Sequence, residues 1–190
     1  MTHVLTNQEL CLPTGAVMAA PSSTAILAAF QPDGTVQDMT ALILAANQPR
    51  AFCNTGLALA MVVTDGGSII TSARVYIEGI DCMGRSISER FARNIAGSAN
   101  YPLVKPFWRI DYCEAQGVGF ATAAETMSLG IAPLGVLGLP FPIISADDVV
   151  AARVDAVLDA APALDLTNNT WTPPSAPNAA RRFYLNYRAA

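Results

Sequence analysis

Alternation of apolar and polar residues is the clearest structural signal in the sequence. In residues 70–78, apolar Ala73, Val75 and Ile77 alternate with polar or charged neighbours. A period of two places successive side chains on opposite faces, which predicts a half-buried β-strand. Residues 86–91 alternate in the same way, and the loop between the two runs is rich in Gly and Asp. This arrangement predicts a β-hairpin.

Two further segments predict strands in the middle and at the end of the chain. Residues 57–63 form a short apolar run that ends at a glycine-containing turn. Residues 182–188 alternate, and we expect Phe183, Leu185 and Tyr187 to point inward. These segments indicate antiparallel sheet.

Residues 107–113 predict one further, continuous strand. Alternation places Trp108, Ile110 and Tyr112 on one face and the charged residues between them on the other.

The first 50 residues carry few strand signals, because prolines and glycines interrupt them. Residues 23–30 and 39–46 are rich in Ala and apolar residues, and each fits a short helix or an apolar strand equally well. Residues 31–34, Gln-Pro-Asp-Gly, predict a turn. We therefore expect an extended N-terminal arm with short elements over residues 1–50.

The β signals define a β domain over residues 51–190. The fold class that we predict is all-β, either a sandwich or a jelly-roll-like barrel. Residues 145–158 leave two alternatives open. Ser145 followed by two aspartates is typical of a helix start, whereas the valines that follow favour a strand.

Composition and charge narrow the possible functions of the chain. Apolar residues make up 52% of the 190 residues and charged residues 14%, with a formal net charge of −4. The absence of a dense basic patch argues against nucleic acid as a partner. The single histidine, His3, lies at the terminus, which argues against catalytic triads and multi-histidine metal sites. We expect no cofactor, no metal and no enzymatic activity.

The cysteines and the apolar segments indicate neither a metal site nor a membrane protein. The four cysteines lack metal-site spacing, and residues 1–10 lack the pattern of a secretory signal, so reduced and mostly buried thiols are expected. Prolines and glycines interrupt the apolar residues 129–144, a segment too short to span a membrane.

The acidic and glycine-rich motifs are interpreted as structural. Asp147 and Asp148 fit an N-terminal cap or a solvated loop better than a catalytic pair. Gly79, Asp81 and Gly84 fit a hairpin loop better than a calcium or phosphate site. The Gly-Val-Gly sequence at 117–119 lacks the third glycine of a dinucleotide-binding motif.

The apolar excess of this chain predicts burial against partner subunits. Its mean hydropathy is +0.36, which is high for a soluble monomer. An aromatic cluster, the apolar segment 134–144 and an arginine pair supply the candidate contacts. The candidate partner-interface residues are Trp108, Leu134, Leu137, Phe141, Arg181 and Arg182.

The order of several motifs resembles that of a known group of proteins. The motifs are Pro49-Arg50, Val75-x-Ile77-x-Gly79-x-Asp81-x-x-Gly84-x-x-Ile87-Ser88-Glu89, Leu137-Gly138-Leu139-Pro140, and Pro177-Asn178 before a last strand that ends at Tyr187. This layout, which covers roughly residues 49–187, resembles that of small structural proteins of tailed-bacteriophage virions that are encoded among head genes.

The resemblance implies a capsid decoration (cement) protein. Such a protein binds the outer head surface, bridges major capsid subunits and stabilises the shell against the pressure of packaged DNA. A homotrimer on the virion, assembled in the host cytoplasm, is expected by analogy. The alternatives are a tail-tube or head-completion protein, or a carbohydrate-binding head fibre that uses Trp108 and Tyr112.

Overall fold

The computed structural model describes residues 4–10, 22–94, 97–132, 135–178 and 180–189. Within these ranges the chain forms fifteen β-strands and four short 3-10 turns, and it contains no α-helix. The strands are β1 (Val4–Leu10), β2 (Leu27–Phe30), β3 (Gln37–Asp38), β4 (Leu57–Asp65), β5 (Ser72–Ile80), β6 (Ser86–Asn94), β7 (Ala99–Phe107), β8 (Arg109–Val118), β9 (Glu125–Ile131), β10 (Leu137–Gly138), β11 (Val149–Val154), β12 (Val157–Asp159), β13 (Ala163–Asp165), β14 (Thr170–Thr172) and β15 (Phe183–Ala189).

The strands form three antiparallel sheets. The central sheet has the order β13-β14-β10-β4-β9-β2, and β7 also pairs with β4. The hairpin sheet has the order β3-β8-β5-β6, and the terminal sheet has the order β1-β15-β11-β12. The all-β prediction is confirmed, and because none of these sheets closes on itself, the fold is sandwich-like rather than a barrel.

The predicted hairpin is confirmed in both pairing and facing. β5 and β6 pair over nine residues, from Ser72 opposite Asn94 to Ile80 opposite Ser86. The three alternating apolar residues of β5 are buried, as the pattern predicted. The strands predicted at 57–63 and 182–188 are confirmed as β4 and β15.

A first apolar core lies between the central sheet and the hairpin sheet. The two sheets bury their facing side chains against each other, which is the main source of stability in a layered β fold. Its most enclosed residues include Ile26, Leu59, Met61, Ile77, Phe107, Cys113 and Met127.

A second core joins the central sheet to the terminal sheet. The three inward residues predicted for the last strand lie in it, together with Trp171, whose ring packs edge-on against Phe183 at 6.3 Å. Phe52 packs against both cores. Burial on this scale fixes the position of the loops that leave these strands.

Residues 22–50 belong to the fold, so the expected boundary at residue 50 does not separate an arm from the β domain. Residues 27–30 form β2, which pairs with β9, whereas 40–42 and 45–47 form 3-10 turns. Gln48 is buried, and its side-chain amide accepts from the Ile110 N–H at 2.7 Å and donates to the Ile110 carbonyl at 3.1 Å. Backbone polar groups of β8 that would otherwise be unpaired are satisfied in this way.

The prediction of one continuous strand over residues 107–113 is wrong. The chain leaves β7 at Phe107 and enters β8 at Arg109, so Trp108 lies at the corner between two sheets. A β-bulge follows, because Glu78 pairs with Tyr112 whereas its neighbour Gly79 pairs with Ile110. The extra residue reverses the facing of Tyr112 relative to Ile110, which simple alternation cannot anticipate.

The two alternatives left open for residues 145–158 are resolved in favour of a strand. Ser145 caps a single 3-10 turn over Ala146–Asp148 and forms a capping box with Asp148. β11 begins at the next residue, Val149. The capping signal was therefore genuine, but the valines end the turn after three residues because branched side chains favour extended backbone.

Candidate partner-binding surfaces

Three loops meet at one end of the molecule and expose apolar side chains. We call them the apolar loop cluster: residues 81–85, 139–145 and 165–169. The exposed side chains are Met83, Phe141, Ile144 and Leu166, with exposed fractions of 38% for Phe141 and 63% for Ile144. The Cys82 thiol donates to the Leu139 carbonyl at 3.7 Å, which ties the first loop to the second.

Buried polar atoms hold these apolar loops in place. The hydroxyl of Tyr187 accepts from the Phe141 N–H at 3.0 Å and donates to the Phe141 carbonyl at 3.1 Å. The Asn169 side chain donates to the Leu139 carbonyl at 2.8 Å and accepts from the Ile143 N–H at 3.3 Å. Because Tyr187 is fully buried, burial raises its pKa to about 12.

The hairpin loop of the cluster is organised by Asp81. Its carboxylate accepts from the backbone N–H groups of Met83 at 2.9 Å and Arg85 at 3.0 Å, and from Arg85 Nε at 2.6 Å. Gly84 adopts a φ of +77°, a conformation that favours glycine. The interpretation of this motif as a hairpin loop is confirmed.

A shallow groove of about 300 Å³ runs beside the apolar loops. Arg85, Lys105, Pro142 and Leu166 contribute to its walls, so it combines cationic and apolar groups. Such a mixed rim around exposed apolar side chains is typical of protein contact surfaces.

The solvent face of the hairpin sheet has a different chemistry. Tyr76 and Glu78 on β5 lie opposite Glu114 and Tyr112 on β8, respectively. The Tyr76 hydroxyl donates to Glu78, and the Tyr112 hydroxyl donates to Glu114 at 3.0 Å. The two rings lie 6.4 Å apart and meet edge to face. Asp38 of β3 lies opposite Glu114, and we call these five residues the tyrosine–glutamate face.

Negative charge dominates around Tyr112. The hydrogen bond to Glu114 is the largest cause of the raised pKa of Tyr112, and the charges of Glu114, Asp38 and Glu78 add to it. The pKa of Asp38 is lowered by its hydrogen bonds to Thr40, which favours its charged form. Within the described ranges, the only ion pairs are Arg85–Asp81 and Arg109–Asp111, so none of these three carboxylates is in one.

The predicted contact residues in the segment 134–144 differ in their positions. Phe141 lies in the apolar loop cluster and is partly exposed. Leu137 does not reach the surface: it is fully buried between Leu57 and Trp171, its strand neighbours, and its assignment as a contact residue is wrong. Leu134 lies outside the described residues.

The other predicted contact residues lie elsewhere. Trp108 is half-buried, and the Arg50 guanidinium lies over its ring at 5.2 Å. Arg181 is half-buried and donates to the Ala176 carbonyl at 2.5 Å. Arg182 is exposed, and its backbone N–H bonds to Asp155 at 2.9 Å. The structure does not bring these three together with the apolar loop cluster by any contact between described residues.

The cysteines depart in one case from the expected reduced state. Cys82 and Cys113 carry free thiols, whereas Cys53 is disulfide-bonded. Burial raises the pKa of the Cys82 thiol to about 11 and that of the Cys113 thiol to about 12. Both thiols are therefore protonated and weakly nucleophilic near neutral pH.

The remaining chemical motifs are part of the framework. Asp148 completes the cap described above, while Asp147 is exposed on the same turn. Gly117 lies in β8 and Gly119 just after it, with no helix following. In the part of the chain that the structure describes, no cluster of three His, Cys, Asp or Glu side chains suits a metal ion. No helix there is long and apolar enough to cross a membrane.

Sequence analysis missed the tyrosine–glutamate face. The signal was present, because Tyr-x-Glu occurs at 76–78 and again at 112–114. Recognising it required the bulge, which turns Tyr112 to the side of Glu78. The same bulge places Trp108 and Tyr112 in different settings, one at a corner and one on a sheet face, so a shared aromatic platform of these two residues is not formed.

Three comparisons with known proteins gave no match: no protein-family model, no curated protein and no solved structure is similar to this chain.

Proposed function

We propose that this chain is a non-enzymatic structural protein of a tailed-bacteriophage virion that decorates the outer surface of the head. In this role it bridges adjacent major capsid subunits and stabilises the shell against internal DNA pressure. The resemblance of the motif order over residues 49–187 supports this proposal. The observation that carries it is the apolar loop cluster, whose exposed side chains are held on a firmly hydrogen-bonded support.

The physical argument starts from the cost of exposing these side chains. Met83, Phe141, Ile144 and Leu166 gain free energy when a partner removes them from water. Burial of about 1,000 Å² of apolar surface gives on the order of 25 kcal/mol of gross stabilisation, and ordering costs offset much of it. Because Tyr187 and Asn169 already fix the loops, less ordering remains to be done when the partner binds.

Repetition over a shell strengthens this effect. A trimer, which we propose by analogy for the assembled state, presents three such clusters at once. Linked contacts bind far more tightly than isolated ones, so each contact can be weak. The protein would then be retained on the head without any deep pocket or enzymatic site.

The proposal is tested by binding to expanded heads that lack the protein. The double variant Phe141→Ser/Ile144→Ser removes two exposed apolar groups from the cluster and should lose most binding to the heads. The matched control, Val157→Ser/Leu158→Ser, removes two exposed apolar groups from strand β12 and should bind like the native chain. Equal binding by all three proteins, or no binding by the native chain, contradicts the proposal.

Head stability gives a second readout of the same proposal. Heads coated with the native chain should rupture at a higher temperature than bare heads, and heads mixed with the loop variant should behave like bare heads. If the native chain instead assembles along tails, the alternative of a tail-tube protein is correct and the head proposal is wrong.

A further inference from the structure

The tyrosine–glutamate face contains two nearly equivalent units. In each, a tyrosine hydroxyl donates to a glutamate two residues further along the same strand, and the two strands run antiparallel. The units differ in what covers the ring. The Arg90 guanidinium lies over the Tyr76 ring at 5.9 Å, whereas among the described residues no cationic group lies over Tyr112.

The electrostatics of Tyr112 favour a cation more strongly than those of Tyr76. Glu114, Asp38 and Glu78 all act on Tyr112 with negative charge. For Tyr76, the charge of Arg90 opposes that of Glu78. Neither Arg74 nor Arg90, the arginines of the neighbouring strands on this face, is in an ion pair with these carboxylates. The face around Tyr112 therefore has aromatic and anionic groups without a cation to balance them.

We propose that the face around Tyr112 binds an arginine-bearing segment of a partner protein. The guanidinium lies over the Tyr112 ring, as Arg90 does over Tyr76, and its N–H groups donate to Glu114 and Asp38. Arginine fits better than lysine because its planar group stacks on a ring and donates in a fixed fork to carboxylates. This site goes beyond the proposed capsid role, because it uses a different surface and a different chemistry from the apolar loop cluster.

The structure prepares this surface for binding. β3, β5 and β8 hold the three carboxylates in one antiparallel sheet, above side chains of the first core. The Tyr112 hydroxyl already bonds to Glu114, so both groups are oriented before a partner arrives. Rigid placement on strands lowers the ordering cost of binding.

The test uses the full chain and a blocked hexa-arginine peptide as the probe, at low ionic strength. Isotope-labelled protein should show saturable binding, with the largest backbone shifts at Asp38, Tyr112 and Glu114. The variants Glu114→Gln and Tyr112→Leu should each weaken binding about three- to fivefold, and the double variant about tenfold. A hexa-lysine peptide should bind more weakly than hexa-arginine.

The matched control is Asp147→Asn, which removes one exposed negative charge outside this face and should leave binding unchanged. If Tyr112→Leu fails to fold, Glu114→Gln still decides, because it preserves shape. Equal weakening by Asp147→Asn, equal affinity for hexa-lysine, or the absence of saturable binding overturns the proposal. The heads used to test the proposed function are absent from this assay, so the two proposals fail independently.

Discussion

The two candidate surfaces are supported in opposite ways. The apolar loop cluster exposes Met83, Phe141 and Ile144, and the buried polar groups of Tyr187 and Asn169 hold it from below. The tyrosine–glutamate face exposes polar groups, and an apolar core supports it from below. Loops need polar support because their backbone groups lack strand partners, whereas a sheet satisfies its own backbone and needs packing.

Removing the apolar support of the sheet face should have the largest effect. Ile77 is fully buried between Tyr76 and Glu78 in sequence. Ile77→Ala leaves a cavity in the first core and should lower the free energy of unfolding by about 2–5 kcal/mol. Urea denaturation measures this loss. Val36→Ala, at an exposed position, is the control and should change stability by less than about 0.5 kcal/mol. A similar small change for Ile77→Ala would contradict the core that we describe.

The bulge that orients Tyr112 can be broken at Gly79. A Cβ atom at Gly79 would lie 2.0 Å from the Arg109 carbonyl oxygen, so Gly79→Ala forces the strands apart. We expect a loss of about 1–3 kcal/mol in unfolding free energy, measured by urea denaturation. Gly34→Ala is the control, because nothing lies within 4 Å of the added atom. Equal stability of the two variants would show that β5 and β8 are not in this register.

The polar support of the loop cluster can be removed with a single atom. Tyr187→Phe deletes the hydroxyl that bonds to both backbone groups of Phe141. The expected loss is about 1–2 kcal/mol. Hydrogen exchange of the Phe141 amide, which should become faster, measures the local effect. Unchanged exchange would mean that Tyr187 does not hold the loop.

Alkaline pH provides a weaker way to disturb the same support. The pKa of Tyr187 rises from its ordinary value of 10.0 to about 12, so the folded chain holds this proton more tightly than the unfolded chain. The resulting stabilisation is complete below pH 10 and is lost as pH rises towards 12. Unfolding curves of the native chain should therefore fall more steeply over this range than those of Tyr187→Phe. The buried thiols titrate in both proteins, so only the difference between them is assigned to Tyr187. Parallel curves would contradict this.

The free thiols should show the smallest effect. A thiol reagent at pH 8 should modify Cys113 only on unfolding and Cys82 slowly, because both pKa values are raised by burial. Mass spectrometry of the intact protein measures the modification. Rapid labelling of Cys113 in the folded chain would place it outside the first core.

Alternation in the sequence predicted those elements whose facing is regular along the whole strand. The hairpin of β5 and β6, the strand β4 and the last strand β15 were predicted because their inward residues follow a strict period of two. The corner at Trp108 and the bulge after it could not be predicted, because both depend on strand pairing over long sequence distances.

The candidate surfaces were predicted only in part, for the same reason. Phe141 was identified as a contact residue because apolar residues crowd this segment. Leu137, in the same segment, is buried by its pairing with distant Trp171, which the local pattern does not reveal. Local hydrophobicity thus identifies the segment, while tertiary packing decides which of its residues reach solvent.

Electron cryomicroscopy of heads assembled with the native chain tests the central claim most directly. The account predicts density for many copies on the outer head surface, with the loops at 81–85, 139–145 and 165–169 against the joins between major capsid subunits. Copies confined to the tail, heads without added density, or bound copies whose loop cluster faces solvent would contradict it.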